Sequence, residues 1–487
     1  MYSYSKFVKH ILTIGILDLL STAQTIIFLP VITKLLGVES YGIWSQIKIT
    51  MWLLVPFTFL GLSESLLRFL PGEKNTEKIR EGLYSSLALV LGMNLIMASF
   101  FLVFSGQISV FLKFDQVFVK FLALIMIFES LNGILLTLVR VLRETTKYFW
   151  LTIFKMLGET GLVIGVILLG YGLYGAVVSS LAIRIIIFII LLIYTIRKIR
   201  IKIPDFSLVQ NYLKFGLPRI MDGISYWFIT SVDRYFIGFF WGIVFVGYYA
   251  PAYSIGMILN IFLFPVAFML STILPKFFDE SNMDEVKNYL SFSLKYFLSL
   301  AIPASFGLSI LSRQLLLILS TQEIADAAYS ITPIIVLSMF LYGVSYFFCQ
   351  IMILTKKTNL IAIICAAGAF LNIILNIMFI PKFGILAASL TTLVSYVCIF
   401  SLTWYFAFKE FQFKIEWGFI IKSVLSSLVM VLFIFLLNPK GLLDVILSVI
   451  LGVLIYIILI FLFKGFGRKE IIFLKNFIKY EMVLFNK

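Results

Sequence analysis

Apolar windows of about 20 residues recur along the whole chain, centred near residues 23, 57, 92, 130, 159, 185, 227, 260, 300, 341, 369, 396, 427 and 453. A segment of that length crosses the hydrocarbon core of a bilayer as an α-helix, the form in which a single segment satisfies its own backbone N–H and C=O groups. The sequence therefore predicts an all-α polytopic membrane protein with about fourteen transmembrane helices. Its 61% hydrophobic and 13% charged residues support this, since soluble domains carry about 25% charged residues. None of the connecting segments is long enough to form a globular domain.

The net charge of +15 invites a nucleic-acid reading, but its placement argues against one. With the N-terminus inside, the loops expected in the cytoplasm carry Lys74, Lys78 and Arg80, then Arg143 and Lys147. The pattern continues through Arg197, Lys198, Arg200 and Lys202, then Lys276 and Lys287, Lys356 and Lys357, and Lys409 and Lys414. The opposite loops offer only Lys113, Lys120, Arg313, Lys382 and Lys440. This is the positive-inside distribution, and it predicts a multi-pass protein of the cell membrane with both termini cytoplasmic. Attraction to anionic membrane lipids is a secondary effect of the same residues. The first apolar run is broken by Asp18 and lacks a small-residue cleavage site, so it reads as a retained span and not a removed signal peptide.

Few enzymatic classes survive inspection. His10 is the sole histidine, which argues against an imidazole metal site or a His-dependent triad. Cys349, Cys365 and Cys398 lie inside predicted spans without a spacing motif and read as packed thiols. There is no P-loop, no Gly-rich nucleotide motif and no metal-ligand cluster, so no metal and no cofactor are expected. The chain reads as a transporter, driven by an ion gradient, the membrane potential or a partner.

The second half of the chain repeats the first. Gly172 to Leu181, GLYGAVVSSL, aligns with Gly384 to Leu393, GILAASLTTL, and the same offset places RETTK at Arg143 on TKKTN at Thr355. Gly42 after a short outer link likewise resembles Gly247. The segment RKIRIKIPDFSLVQNYLKFG divides the halves near residue 205. These features predict two six-helix lobes in parallel repeat, residues 1–204 and 205–410. Residues 411–487 then hold two further spans and a basic amphipathic tail on the inner membrane surface.

Charges inside spans mark the candidate chemistry, because one at the centre of a spanning helix costs on the order of 2.5–3.5 kcal/mol. The seventh span, KFGLPRIMDGISYWFITSVDRYFIGFF, places Arg219, Asp222, Tyr226, Thr230 and Asp233 on one stripe, with Arg234 pointing elsewhere. Such a stripe either lines a polar path or neutralises itself, Arg219 against Asp222, between packed helices. Glu129, Lys155, Glu159 and Arg184 are also deep, whereas Lys34, Lys48, Arg68 and Arg140 lie near span ends and would snorkel. Lys155 and Glu159 are spaced for an ion pair within one helix. Arg184 has no opposite charge within a turn and needs a carboxylate from another helix or an anionic ligand. A cavity lined by Lys155, Arg184, Arg219 and Arg234 would attract a pyrophosphate, with Tyr226 and Trp227 available to stack on sugars. The carboxylates Asp18, Glu129, Glu159, Asp222 and Asp233 would then serve charge balance or ion coupling. On this reading Arg219, Asp222 and Asp233 face the central cavity opposite Arg184 and Lys155.

Three stretches carry a family resemblance: LPVITKLLGVESYGIWSQI in the first two spans, VGYYAPAYSIG after Asp233, and NIILNIMFIPKFGILAASL near the eleventh and twelfth. With the rest of the chain they resemble the polysaccharide-transporter (Wzx-type) flippases, of the superfamily that also holds multidrug extruders and the peptidoglycan-precursor flippase. The resemblance implies a V-shaped pair of six-helix lobes around a central cavity that works by alternating access. It implies an oligosaccharide on a polyprenyl pyrophosphate as cargo, moved from the cytoplasmic to the outer leaflet for cell-surface polysaccharide synthesis. A glycan polymerase or glycosyltransferases of the same pathway are the implied partners. A cation-coupled drug or metabolite antiporter of the same superfamily is the alternative. A glycan polymerase or ligase is disfavoured by the short outer loops.

Overall fold

Segments that find no water around them close their hydrogen bonds internally, and this chain is helical along most of its length. The computed structural model describes residues 2–467 apart from 72 and 74, with side chains described at 17 and from 20 onward except 219, 221–223, 225 and 226. The predicted basic tail from residue 468 and the side chain of Asp18 lie outside the described residues.

Helix α1 (Tyr2–Phe59) is divided into two arms at Gly37, whose φ of 86° and ψ of 176° no helical residue adopts. After the left-handed Leu60 and Gly61 comes the short α2 (Leu62–Phe69). The first half continues through α3 (Thr76–Val103), α4 (Ser105–Leu112), α5 (Gln116–Val141), α6 (Thr145–Leu168) and α7 (Gly172–Ile199). An irregular segment, 200–208, leads into α8 (Val209–Trp241), whose first half contains Pro218. Helix α9 (Ile243–Gly256), a single 3-10 turn and α10 (Asn260–Asp279) form one long stretch. Then follow α11 (Met283–Ile310), the short α12 (Ser312–Leu319) and α13 (Gln322–Ala328), and α14 (Thr332–Leu354). Helix α15 (Thr358–Glu410) has two arms divided at Gly384, and α16 (Trp417–Leu437) and α17 (Leu442–Leu462) complete the described chain.

Four helix starts are capped by side chains. Asn75, Asp115, Asn282 and Thr321 each accept a hydrogen bond from a backbone N–H of the first turn. Among the described residues eleven helical stretches are long and apolar enough to cross a membrane, against the fourteen expected. Two of the eleven are the two-armed helices α1 and α15, and α8 falls outside the count because its charged and polar residues lower its apolarity.

The backbone repeats as the sequence does. Gly242, between α8 and α9, has φ 96° and ψ 169°, close to the values at Gly37. Gly172 and Gly384 share a left-handed φ of 61° and 58°, as do Arg143 and Lys356 with 58° and 61°. The last pair moves the sequence alignment by one position, since Lys356 and not Thr355 answers Arg143.

The two halves meet along the second arm of α1, residues 38–59. At one end a Cβ on Gly42 would lie 2.3 Å from the Ile243 carbonyl oxygen, and one on Gly247 2.2 Å from that of Val38. Only glycine permits this approach. The same spacing separates Val38 from Ile243 and Gly42 from Gly247, so the contact is reciprocal about the repeat. At the basic end Gly61 and Gly216 abut, where added Cβ atoms would lie 2.1 Å and 2.4 Å from each other's carbonyl oxygens. There Ser65 Oγ also donates to the Tyr212 carbonyl at 2.6 Å. Between the two ends, Trp227 Nε1 donates to the Ile49 carbonyl at 2.8 Å, and the hydroxyls of Thr50 and Tyr235 bond at 2.6 Å. The described contacts join the two halves at both ends of the seam and between them.

Candidate functional site

Five charged side chains from four helices converge in the first half. Glu159 on α6 is 6% exposed and cannot hold its charge there unaided. It accepts from Lys48 on α1 at 2.6 Å, from Ser180 Oγ on α7 at 2.6 Å and from Arg184 Nη1 at 3.1 Å. Arg184 spans two carboxylates, its Nε reaching Glu129 on α5 at 2.7 Å, while Nη1 also donates to Ser180 Oγ and the Ser180 carbonyl, each at 2.6 Å. Lys155 completes the chain by pairing with Glu129 at 2.5 Å. Gln24 reaches in from the first arm of α1, donating to the Met156 carbonyl at 3.2 Å and to Glu159 Oε2 at 3.5 Å. Three cations face two carboxylates, leaving one positive charge in excess.

The network borders a cavity of about 410 Å³ lined by Ser21, Trp44, Lys48, Trp52, Glu129 and Arg184, among others. Lys48 is its most accessible cation, 37% exposed, with its ammonium 4.7 Å from the centre of the Trp44 ring. Arg184 is only 8% exposed. An anion entering the cavity meets cations whose charges are already oriented by neighbouring helices.

A second polar cluster lies in the other half. Asp233 on α8, 1% exposed, accepts from Tyr249 on α9 at 2.5 Å and from Thr392 on α15 at 3.5 Å, and its own Oδ1 caps the Arg234 N–H at 2.8 Å. Nearby on α15, Asn376 donates to Asn372 at 2.8 Å and accepts from Thr391 at 2.5 Å. Arg234 lies over the Tyr253 ring at 4.3 Å. No charged side chain forms a salt bridge to the Asp233 carboxylate among the described residues, so its charge rests on dipolar neighbours and the adjacent guanidinium.

The structure gathers Glu129, Lys155, Glu159 and Arg184 and leaves Asp233 and Arg234 apart from them. Asp233 does not face the central cavity opposite Arg184, as the helical stripe suggested. It turns into its own half, where Tyr249 and Thr392 satisfy it. Arg234 likewise lies against its own half's Tyr253 and does not line the cavity. Lys155 and Glu159 do not pair along their helix, because each finds a nearer opposite charge on another. Trp227 is buried and bonded to α1, so it is no sugar platform. The side chains of Asp18, Arg219, Asp222 and Tyr226 lie outside the described residues.

Lys48 is the member that sequence reasoning misplaced. Counting from a span beginning at Gly42 puts it near the end, but the arm begins at Val38, straight after the Gly37 break. Lys48 is thus ten residues in, about 15 Å along the helix axis. The signal was the glycine itself.

Comparison with known proteins gives a consistent picture. The model of the family described as "Polysaccharide biosynthesis protein" matches residues 31–329. The chain is similar to the probable low-salt glycan biosynthesis flippase Agl15 of Haloferax volcanii, 26% identical over 402 residues that cover 80% of this chain and 83% of that one. Among solved structures it resembles the lipid II flippase MurJ in an inward closed conformation, with a TM-score of 0.76 and 18% identity, over 94% of this chain and 99% of that one. It also resembles an inward-facing multidrug resistance MATE family transporter, with a TM-score of 0.60 and 14% identity, over 81% and 95% of the two chains. The likenesses to these two structures establish a shared fold.

Proposed function

Because this chain belongs to the polysaccharide biosynthesis protein family, we propose that it is a flippase that moves a lipid-linked glycan across the membrane. Its relative Agl15 bears the name of a glycan biosynthesis flippase, and the chain has the fold of MurJ. The cargo, in the finer reading, is an oligosaccharide on a polyprenyl pyrophosphate, carried from the cytoplasmic to the outer leaflet of the cell membrane. The observation that carries this is the cavity beside Lys48 and Arg184, where three cations oppose two carboxylates. Guanidinium and ammonium groups recognise phosphate oxygens through charge-assisted hydrogen bonds. The excess positive charge favours an anionic headgroup in a layer where an isolated anion is unstable.

The test is reconstitution of the full chain in liposomes with a polyprenyl-pyrophosphate-linked sugar, followed by an impermeant reagent that modifies only outward-facing sugar. The flippase exposes the inner pool faster than protein-free liposomes do. Equal rates with and without protein, under each imposed ion gradient, overturn the reading.

A second reading is a cation-coupled antiporter, favoured by the buried Asp233 carboxylate, which has no salt-bridge partner among the described residues. On that reading a proton or small cation binds at Asp233 and small organic cations leave in exchange. Gradient-dependent efflux of such cations, with no movement of the lipid-linked sugar, distinguishes it.

A further inference from the structure

The second arm of α1 carries the cavity's most accessible cation and, on the next two residues, bonds that hold the halves together. Lys48 reaches Glu159. The Ile49 carbonyl accepts from Trp227, and Thr50 bonds Tyr235, so both contacts cross to α8. Thr50 has one hydroxyl proton and gives it to the Gln46 carbonyl at 2.7 Å. Tyr235 is therefore the donor across the seam.

Lys48 is also the cation easiest to redirect. Arg184 is engaged by two carboxylates and Ser180, and Lys155 by Glu129. Lys48 has a single carboxylate partner and faces the cavity. Its departure does not strand Glu159, which keeps Arg184 and Ser180. One turn before Thr50, Gln46 is buried, and among the described residues neither its amide nitrogen nor its oxygen is hydrogen-bonded. A buried amide in that state destabilises the closed arrangement and gains from a shift of the arm.

We propose that Lys48 leaves Glu159 for a phosphate oxygen of the cargo, and that Ile49 and Thr50 transmit this movement to α8, so that anion binding in the first half unlocks the seam. The proposal rests on the flippase reading and assigns residues 48–50 as its coupling element. Reciprocity follows: if anion binding opens the seam, weakening the seam must tighten anion binding by the same coupling.

The test uses the full chain in nanodiscs and farnesyl pyrophosphate as the probe, with farnesol as the uncharged control. Spin labels at Glu64 and Lys214, both exposed and on either side of the basic end of the seam, report its opening after Cys349, Cys365 and Cys398 are replaced by serine. In the wild type, farnesyl pyrophosphate binds and lengthens the distance between the labels, and farnesol does not. Lys48→Gln weakens binding tenfold or more. Thr50→Val does the opposite, tightening binding about fivefold and lengthening the unliganded distance, while Thr50→Ser restores wild-type behaviour. In the double variant Lys48→Gln/Thr50→Val the gain disappears. If the wild type binds farnesyl pyrophosphate but Lys48→Gln binds equally well, or Thr50→Val leaves affinity unchanged, the coupling is refuted and the flippase reading stands. If the wild type binds no farnesyl pyrophosphate, both fall together.

Discussion

Replacing Glu159 with alanine removes the carboxylate at the centre of the cavity network. The loss leaves Arg184 with Glu129 alone, Lys48 without its ion pair, and Ser180 without its acceptor. Breaking a buried ion pair from one side destabilises by about 3–5 kcal/mol, because the surviving charge stays desolvated. Lys48 is partly exposed and Arg184 keeps one carboxylate, so the lower end, about 3 kcal/mol, applies here. An unfolding entropy of about 2.1 cal/mol/K per residue gives about 1 kcal/mol/K for a chain of 487 residues, and hence a fall in Tm of about 3 °C. Glu159→Gln keeps an acceptor for Ser180 and loses less. Arg184→Ala added to Glu159→Ala destabilises by at least about 1 kcal/mol less than the two singles summed, because the second change removes the charge that the first strands. The assay is thermal unfolding in detergent, followed by intrinsic tryptophan fluorescence. A Tm for Glu159→Ala within 1 °C of wild type, or strict additivity with Arg184→Ala, would show that the network does not hold the two charges as described.

Three further outcomes are expected. Gly42→Ala or Gly247→Ala puts a Cβ against a backbone carbonyl and forces the far end of the seam apart by about 1 Å, so a cysteine placed at Val38 becomes more reactive to a water-soluble maleimide; unchanged reactivity refutes the close approach. Asp233→Asn keeps the Tyr249 and Thr392 contacts and removes the charge, so transport loses its dependence on an imposed ion gradient while Tm shifts by a few degrees at most; retained gradient dependence excludes Asp233 as the coupling site. At the turn before α6, burial works against the Glu144 carboxylate, but Lys147 at 2.7 Å and Lys198 at 3.0 Å outweigh it and hold its pKa at about 2. Unfolded glutamate titrates near about 4.3. The stability from Glu144 is therefore full above that value and is lost as pH falls towards about 2, and Glu144→Gln loses less Tm than wild type between pH 5 and pH 2.

The all-helical, membrane-spanning character is legible in the sequence because length, hydropathy and glycine punctuation are local properties, whereas the number of spans is not. Gly37, Gly172, Gly242 and Gly384 mark the turns, and the structure gives them matching conformations in pairs. Partners are less legible. The periodicity put Thr230 and Asp233 on one stripe of α8, but a helix surrounded by other helices has several apolar neighbours, and periodicity does not say which one a side chain meets. Asp233 met α9 and α15 of its own half. Arg184 was recognisable as needing a carboxylate from another helix or an anionic ligand, and the structure pairs it with Glu129 and Glu159. Lys48 was lost through an error of four residues in a helix start, which hid that it reaches Glu159 in the first-half network.

The glycine crossing of Gly42 and Gly247 has an evolutionary consequence. Each residue meets the backbone of its counterpart's arm four residues before the counterpart, as a surface does when it meets a copy of itself. A chain that arose by duplication of a six-helix unit would have inherited this contact from a symmetric homodimer. Two polypeptides separated within 200–208 still carry complementary surfaces, and their co-expression is expected to rebuild the seam from its halves.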